Sequence, residues 1–255
     1  MKKSLSKLHV DLYLGTFDFL FKFERIRFGI IWEVGVNMIL PLLIALIWVN
    51  GTSASFGEMY VYVVLGFVVW NYWQTVLLSS TKLLFSTYQS NILNNPTAGF
   101  HYSVRLAIST FLSTSVIFAI CLGVLASAGL ITISWKFIGV FCVLLISSVV
   151  LIPCSHVLAV ACARFRDFEK LVSLLLGLSI VATPVFWFKE LLGRYSDFVY
   201  LNPIASHIEL TRGLIIQGDE IFFPVLSLSL WCLGVGLVSM WLTIYQDKKM
   251  RFWIQ

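Results

Sequence analysis

The sequence predicts an all-α integral membrane protein with about six transmembrane helices in a single domain over residues 1–255. Of its residues, 59% are hydrophobic and only 12% are charged, whereas soluble domains are about half apolar and a quarter charged. Six windows without Asp, Glu, Lys or Arg are each long enough for the roughly 20 residues that a helix needs to cross the hydrocarbon. Their apolar residues run continuously instead of alternating, which favours helices over barrel strands.

Each charge-free window predicts one crossing, and the basic residues between the windows set the orientation. We expect helices at about residues 28–49, 59–78, 106–131, 137–163, 171–188 and 221–245. An even number of crossings puts both termini on one side of the membrane. In that layout 14 of the 18 Lys and Arg residues lie on the side of the termini. Because basic residues collect in cytoplasmic loops, we expect both termini in the cytoplasm.

Residues 10–27 predict an amphipathic helix ahead of the first crossing. Polar positions recur at intervals of four and three, with apolar residues on the other side; these positions are Asp11, Gly15, Asp18, Lys22 and Arg25. We expect this helix in the cytoplasmic interface, with its apolar face in the acyl boundary. Simple anchoring to the membrane is the alternative role.

The stretch from 85 to 105 is long for a link between two helices, which usually takes about 2–8 residues. It is rich in turn-forming residues, namely Asn91, Asn94, Asn95, Pro96 and Gly99. We expect an ordered cytoplasmic element that contacts a partner, with an unstructured loop as the alternative.

A second inner connection, residues 163–170, mixes both signs of charge over a short distance. It contains Arg164, Arg166, Asp167 and Glu169. The pattern favours an ion-paired hinge over a lipid-binding basic patch. Plain positive-inside anchoring would explain the basic residues but leaves the two acidic residues unexplained.

The outer segment from 189 to 220 separates two crossings but is too apolar for a disordered loop. Apolar segments of this kind often return into the membrane as re-entrant or interfacial helices. Non-helical backbone there must be covered by protein or line a water-filled cavity.

The second predicted crossing is unusually rich in aromatic rings and amides. These residues are Tyr60, Phe67, Trp70, Asn71, Tyr72, Trp73 and Gln74. Flat rings beside amides would suit a surface along which a sugar chain slides, because rings offer apolar faces while amides bind hydroxyls. Packing and hydrogen bonding between helices are the competing interpretation.

Motifs for catalysis or cofactor binding are missing from the sequence. It contains no phosphate-binding Gly-x-x-x-x-Gly-Lys-Ser/Thr loop, no dinucleotide-binding Gly-x-Gly-x-x-Gly and no His-Glu-x-x-His zinc motif. The four histidines are widely separated, and the five cysteines lie in apolar windows without metal-ligand spacing. We therefore expect no catalytic centre, metal or cofactor on this chain. No basic run in the sequence indicates binding of nucleic acid.

Three stretches in the second half of the chain carry a family resemblance. They are ARFRDFEKLV at 163–172, LSIVATPVFWF at 178–188 and YLNPIASHIELTRGLIIQG at 200–218. Their order and spacing resemble the transmembrane subunit of type 2 ATP-binding-cassette exporters of O-antigen, capsule and teichoic-acid polysaccharides. The run IRFGIIW at 26–32, with Pro41 in the first crossing, is similar to the family's entry into the membrane.

Two features depart from that family. Glu33, at the inner end of the first crossing, is unexpected there, and we expect it to reach the interface or pair with Arg25 or Arg27. Residues 85–105 occupy the place of the family's coupling helix but lack its Lys.

The resemblance implies six crossings, an interfacial first helix, a coupling helix and short outer gate helices. The gate region would contain Pro184, Asn202, Pro203 and Arg212. ATP and Mg would bind to a separate nucleotide-binding ATPase subunit. Two copies of this chain would form a homodimer, and two copies of the ATPase subunit would bind to that homodimer.

The function so implied is export of lipid-linked polysaccharide, with O-antigen as the first expectation, across the bacterial inner membrane. A type 2 permease for a lipid or drug shares the same topology. An intramembrane enzyme would need convergent acid, base or metal-binding groups, and a passive channel would conduct ions without an ATPase.

Overall fold

The computed structural model describes residues 2–24, 29–51, 54–90, 99–217 and 221–254, which are mostly helical and contain no strand. Short 3-10 or π-helical runs at Val49–Gly51, Leu83–Thr87, Lys189–Leu201 and Gly213–Gln217 join or extend the longer helices. The α-helices are α1 (Lys2–Glu24), α2 (Gly29–Trp48), α3 (Phe56–Thr81), α4 (Gly99–Ser127), α5 (Lys136–Arg164), α6 (Phe168–Ala182), α7 (Pro203–Arg212) and α8 (Phe222–Ile254).

Within the described ranges, five helical segments are long and apolar enough to cross a membrane. They are Gly29–Gly51, Phe56–Thr81, Gly99–Ser127, Lys136–Arg164 and Phe222–Ile244. They match five of the six predicted crossings, although α4 begins well before residue 106. The prediction of an all-α, multi-pass membrane protein is confirmed at this level.

The remaining predicted crossing, 171–188, is not one continuous helix, because α6 ends at Ala182. The next residue but one is Pro184, and a proline disfavours the α conformation in the residue before it. Thr183 accordingly adopts an extended conformation, with φ −106° and ψ 141°. Residues 183–188 then continue as irregular chain.

The helix α3 forms the centre of the bundle. It packs against α2, α4, α5, α6 and α7, and Val63, Val64 and Leu65 are fully buried. The most apolar window of α3 is 67% buried, against 17% for α2 and 11% for α8. α2 and α8 therefore lie at the periphery, with large apolar surfaces exposed.

The segment 168–188 follows α3 in the opposite direction over most of its length. Glu169 forms an ion pair with Lys82 at 3.0 Å. Further along, the Trp70 indole donates to Ser179 Oγ at 2.9 Å, and the Tyr62 hydroxyl donates to the Trp187 carbonyl at 3.1 Å. The irregular chain after α6 thus continues the path of that helix along α3.

The helices α5 and α8 run parallel to each other. Early residues of both, such as Val143 and Val225, line one cavity, and later residues meet where Thr243 Oγ1 lies 3.2 Å from His156 Nε2. Since both helices run in the same direction, the chain between Arg164 and Phe222 returns from one end of the bundle to the other.

The helix α1 turns its polar stripe towards α4. Asp11 lies 2.6 Å from Nδ1 of His101, and Asp18 pairs with Arg105 at 2.8 Å. Gly15 lies between them, where a Cβ atom would be 2.9 Å from the side chain of Ile108. Apolar side chains on the other side are exposed, including Tyr13, Phe17 and Leu20, as an interfacial helix requires.

Candidate functional site

The irregular connection after α6 is the unusual feature of the bundle. It runs through residues 183–188, a 3-10 helix at Lys189–Leu201 that is kinked at Gly193 with φ +53°, and α7. In apolar surroundings each unsatisfied backbone group costs several kcal/mol. The groups that satisfy this backbone therefore define the site.

Arg212, the last residue of α7, donates hydrogen bonds to two carbonyls of this connection and to one of α3. Its Nη1 donates to the Pro184 carbonyl at 2.6 Å, and Nη2 donates to the Val185 carbonyl at 2.7 Å. Nη2 and Nε both donate to the Tyr62 carbonyl, at 3.0 and 3.3 Å. One buried side chain thus joins α7, the connection after α6 and α3.

The charge of Arg212 is balanced locally. Glu209 Oε1, one turn earlier on α7, accepts from Nη1 at 3.0 Å, and the guanidinium lies 3.4 Å from the centre of the Tyr62 ring. With the three carbonyls and Glu209, all five guanidinium N–H groups have acceptors. We take this Arg212 cluster as the candidate functional site.

Gly66 makes the Arg212 cluster possible, and the sequence analysis did not identify it. A Cβ atom at this position of α3 would lie 2.5 Å from Arg212 Nη2 and 2.9 Å from the Val185 carbonyl oxygen. Contacts this close exclude any side chain, so glycine lets the guanidinium reach the backbone. The only signal in the sequence is a lone glycine inside an otherwise bulky apolar window.

Asn202 begins α7 and ties it to the end of α6. Its Oδ1 accepts from the Ile204 N–H at 3.0 Å as a helix cap, and its Nδ2 donates to Thr183 Oγ1 at 3.2 Å. Pro203 takes the first helical position, where its missing N–H has no cost. The structure therefore brings together the four residues of the predicted gate region around Thr183 and Arg212.

The helix α7 is inserted into the bundle instead of lying on its end. Eight of its ten residues are buried. His207 Nδ1 accepts from the Trp73 indole at 2.9 Å, while Arg212 reaches Tyr62 at the other end of α7. It therefore lies beside the stretch of α3 between Tyr62 and Trp73. His207 was not identified by the sequence analysis.

The aromatic residues of α3 are packed inside the chain. Tyr60, Phe67, Trp70, Tyr72 and Trp73 are all buried. The Tyr72 hydroxyl lies 2.6 Å from Ser148 Oγ on α5, and Tyr60 donates to the Met38 carbonyl on α2 at 3.2 Å. The packing interpretation accounts for these contacts, and the rings of α3 face neighbouring helices in this arrangement.

The two amides of this segment are half-buried. Asn71 donates to Asn37 Oδ1 on α2 at 3.3 Å and lines a polar cavity of about 170 Å³, whereas Gln74 does not line that cavity. At the edge of this cavity Glu33 pairs with Lys22 at 2.8 Å. The partner of Glu33 is thus Lys22 on α1, about one turn before Arg25 and Arg27, the partners expected from the sequence.

At the end of the bundle where α5 ends, the predicted hinge pairs with a different element. Arg164 ends α5 and lies over the Phe165 ring, and Arg166 and Asp167 lie in the short turn before α6. Glu169 pairs with Lys82 at the end of α3, and not with a neighbour in the loop. The ion pair thus fixes the start of α6 to α3.

Of the residues predicted for coupling, Asn91, Asn94, Asn95 and Pro96 lie outside the described residues. Gly99 is the buried first residue of α4. In the ranges that the structure covers, no three His, Cys, Asp or Glu side chains are grouped as a metal site would require.

Comparison with known proteins identifies no family. No family model matches the chain, and no curated protein is significantly similar to it.

Proposed function

We propose that this protein is the membrane subunit of an ATP-driven exporter of lipid-linked polysaccharide, of the O-antigen type. The Arg212 cluster carries the proposal, because it holds an irregular, inserted segment at one end of a membrane bundle. Transporters build their conduits from broken helices whose freed backbone groups are covered by protein or line a cavity. The sequence resemblance at 163–218 supplies the cargo class.

In this proposal the chain crosses the membrane six times, with the fifth crossing made by α6 and residues 183–188. The contacts along α3 support it, since the residues from Tyr62 to Lys82 rise about 30 Å at 1.5 Å per residue, close to the thickness of the hydrocarbon. The parallel course of α5 and α8 also requires a return crossing between them. Both termini then lie in the cytoplasm.

The segment from Lys189 to Arg212 acts as the outer gate of the conduit. Its hydrogen bonds to α3 and to the end of α6 keep it inserted in the closed state. The ion pair of Glu169 with Lys82 lies at the opposite end of α6, so a cytoplasmic movement is carried along α6 to Pro184. Release of the Arg212 contacts would then open the outer end.

ATP and Mg bind to a separate ATPase subunit, two copies of which join a homodimer of this chain. The large exposed apolar surfaces of α2 and α8 support contact with lipid and with a second copy. Cargo passes from the cytoplasmic side to the outer face of the bacterial inner membrane.

The test is deletion of the gene in its host, followed by complementation. We expect loss of surface polysaccharide, accumulation of lipid-linked glycan inside the cell, and recovery with the wild-type chain. Arg212→Lys, which keeps the charge but loses the planar donor set, should not restore export. Gly123→Ala should restore it, because a Cβ atom at Gly123 meets nothing within 4 Å.

Two other results of this experiment would contradict the proposed cargo or the proposed gate. Normal surface polysaccharide in the deletion strain, with a change in membrane lipid composition or drug tolerance, would assign the chain to lipid or drug transport. Full export by Arg212→Lys at a normal protein level would show that the Arg212 cluster is not part of the gate.

A further inference from the structure

A cavity of about 1020 Å³ lies between α5, α7, α8 and the 3-10 helix at Lys189–Leu201. We propose that it is a binding site for a membrane amphiphile with a hydrocarbon chain and an uncharged, hydroxyl-bearing head, such as a glycolipid. The inference concerns this cavity alone and does not depend on the export proposal.

The apolar part of the cavity has a buried floor and an exposed rim. Val150 and Leu228 on the floor are each 2% exposed, while Ile146 and Leu233 on the rim are 55% and 66% exposed. The rim residues come from two helices of the membrane-spanning bundle, so the cavity opens towards lipid. Its volume is at the upper end of ligand pockets, which span about 300–1,000 Å³ and are mostly apolar with a few polar groups.

The polar end of the cavity is formed by two cations and two carboxylates, so it has no net charge. Both cations are already engaged. Arg212 uses its five N–H groups within the protein, and Lys189 donates to the Tyr200 hydroxyl at 2.5 Å and lies 4.0 Å from Glu209 Oε2.

What this end offers to a ligand is mainly hydrogen-bond acceptors. Glu190 lines the cavity and is exposed, and a carboxylate accepts up to about four hydrogen bonds. Sugar hydroxyls can donate to these oxygens. A phosphate head would be repelled by the two carboxylates and would find no unused N–H on Arg212. A cationic head would be repelled by Arg212 and Lys189. An uncharged head avoids both.

The experiment uses the full-length chain in phosphatidylcholine nanodiscs. The probe is a dodecyl β-D-glucoside with a photoactivatable diazirine in its chain, and a dodecyl phosphate with the same diazirine is its matched comparison. We expect the glucoside to label peptides of α5 and α8, with labelling by the phosphate at least about fivefold weaker.

Matched variants separate the site from general lipid contact. Val225→Trp places a large ring in the cavity and should reduce glucoside labelling at least about fivefold. Val238→Trp on the same helix should not, since Val225 and Val238 are 46% and 47% exposed and only Val225 lines the cavity.

A second pair of variants tests the head group without filling space. Glu190→Gln should weaken glucoside binding roughly threefold to tenfold through loss of charged acceptors. Asp197→Asn, an exposed residue of the same 3-10 helix outside the cavity, should leave it unchanged.

The proposal is overturned if the phosphate probe labels as strongly as the glucoside, or if Val225→Trp and Glu190→Gln both label normally. Cross-links joining two copies through these peptides would assign the face to a dimer interface instead.

A competition experiment identifies the source of the ligand. Displacement by purified lipid-linked polysaccharide indicates cargo, and displacement by a plain glycolipid alone indicates a resident membrane lipid.

Discussion

Arg212 and Gly66 show how a single contact can stabilise irregular backbone between packed helices. A broken helix in an apolar environment exposes carbonyl groups that water cannot reach. The fork of N–H groups on arginine can satisfy several carbonyls at once, but only if it approaches the neighbouring backbone closely. Gly66 provides that approach, so the two residues act as one unit although they lie on different helices.

Gly66→Ala should destabilise the protein because the new methyl group would overlap Arg212 and the Val185 carbonyl. Overpacking of this kind costs about 1–3 kcal/mol, and the inserted segment must shift. Thermal unfolding of the purified chain in detergent measures the effect. The matched control Gly123→Ala has open space around its Cβ atom and should be neutral or slightly stabilising. Equal midpoints for the two variants would contradict the role of Gly66.

Among the elements, α1 is held to α4 by a cluster of polar side chains at Asp18. Arg105 contacts Asp18 through Nε and Nη2, and the Tyr88 hydroxyl donates to the same carboxylate at 3.0 Å. Burial raises the pKa of Tyr88 to about 12, so its phenol keeps its proton at neutral pH. The stabilisation from the Tyr88–Asp18 hydrogen bond is fully present below pH 10 and is lost as the pH rises towards 12.

Asp18→Asn should loosen α1 by about 1–2 kcal/mol, because it weakens a charged hydrogen-bond pair that is partly exposed. Hydrogen exchange should become faster in α1 amides while α3 stays protected. Asp167→Asn, in the turn between α5 and α6, is the control and should leave α1 unchanged. Unaltered exchange in Asp18→Asn would mean that apolar contacts alone hold α1.

In the proposed exporter, the connection between Tyr88 and Gly99 is the element that we expect to contact a separate ATPase subunit. Coupling must pass through cytoplasmic elements that have two arrangements, and this connection adjoins both the cluster at Asp18 and the start of α4. Photo-cross-linkers at Asn91 and Asn94 should reach the ATPase subunit in intact membranes. Cross-links from α1 alone would show that α1, and not this connection, transmits the movement.

For the whole molecule, the direction of α5 and α8 distinguishes six crossings from five. Reporter tags at Ser55 and Ser196 should be accessible from outside, and a tag at Gln255 only from the cytoplasm. The physical reason is that parallel α5 and α8 require the chain to return across the membrane between them. A tag at Gln255 that is accessible from outside would indicate five crossings and an external C-terminus, which would contradict the prediction.

The sequence by itself determined the class of the protein and most of its helices. Long windows without charge leave the backbone no partner except itself in lipid, so helices were predictable from composition and charge spacing. The polar stripe of α1 was visible from its periodicity, and the apolar character of residues 189–220 indicated an inserted segment. The fifth crossing was predicted to run to residue 188, and the structure shows that α6 ends at Ala182, before Pro184.

Only the tertiary structure decided which partners these helices take. Periodicity shows that α1 has a polar face, but not that Asp11 and Asp18 meet His101 and Arg105 on α4. The aromatic richness of α3 was compatible with both a sliding surface and a packed core. Burial against neighbouring helices places the rings of Tyr60, Phe67, Trp70, Tyr72 and Trp73 in the core. Gly66 and His207 gained their roles from segments more than a hundred residues away in sequence. Such contacts depend on helix register and close approach, which a one-dimensional pattern does not specify.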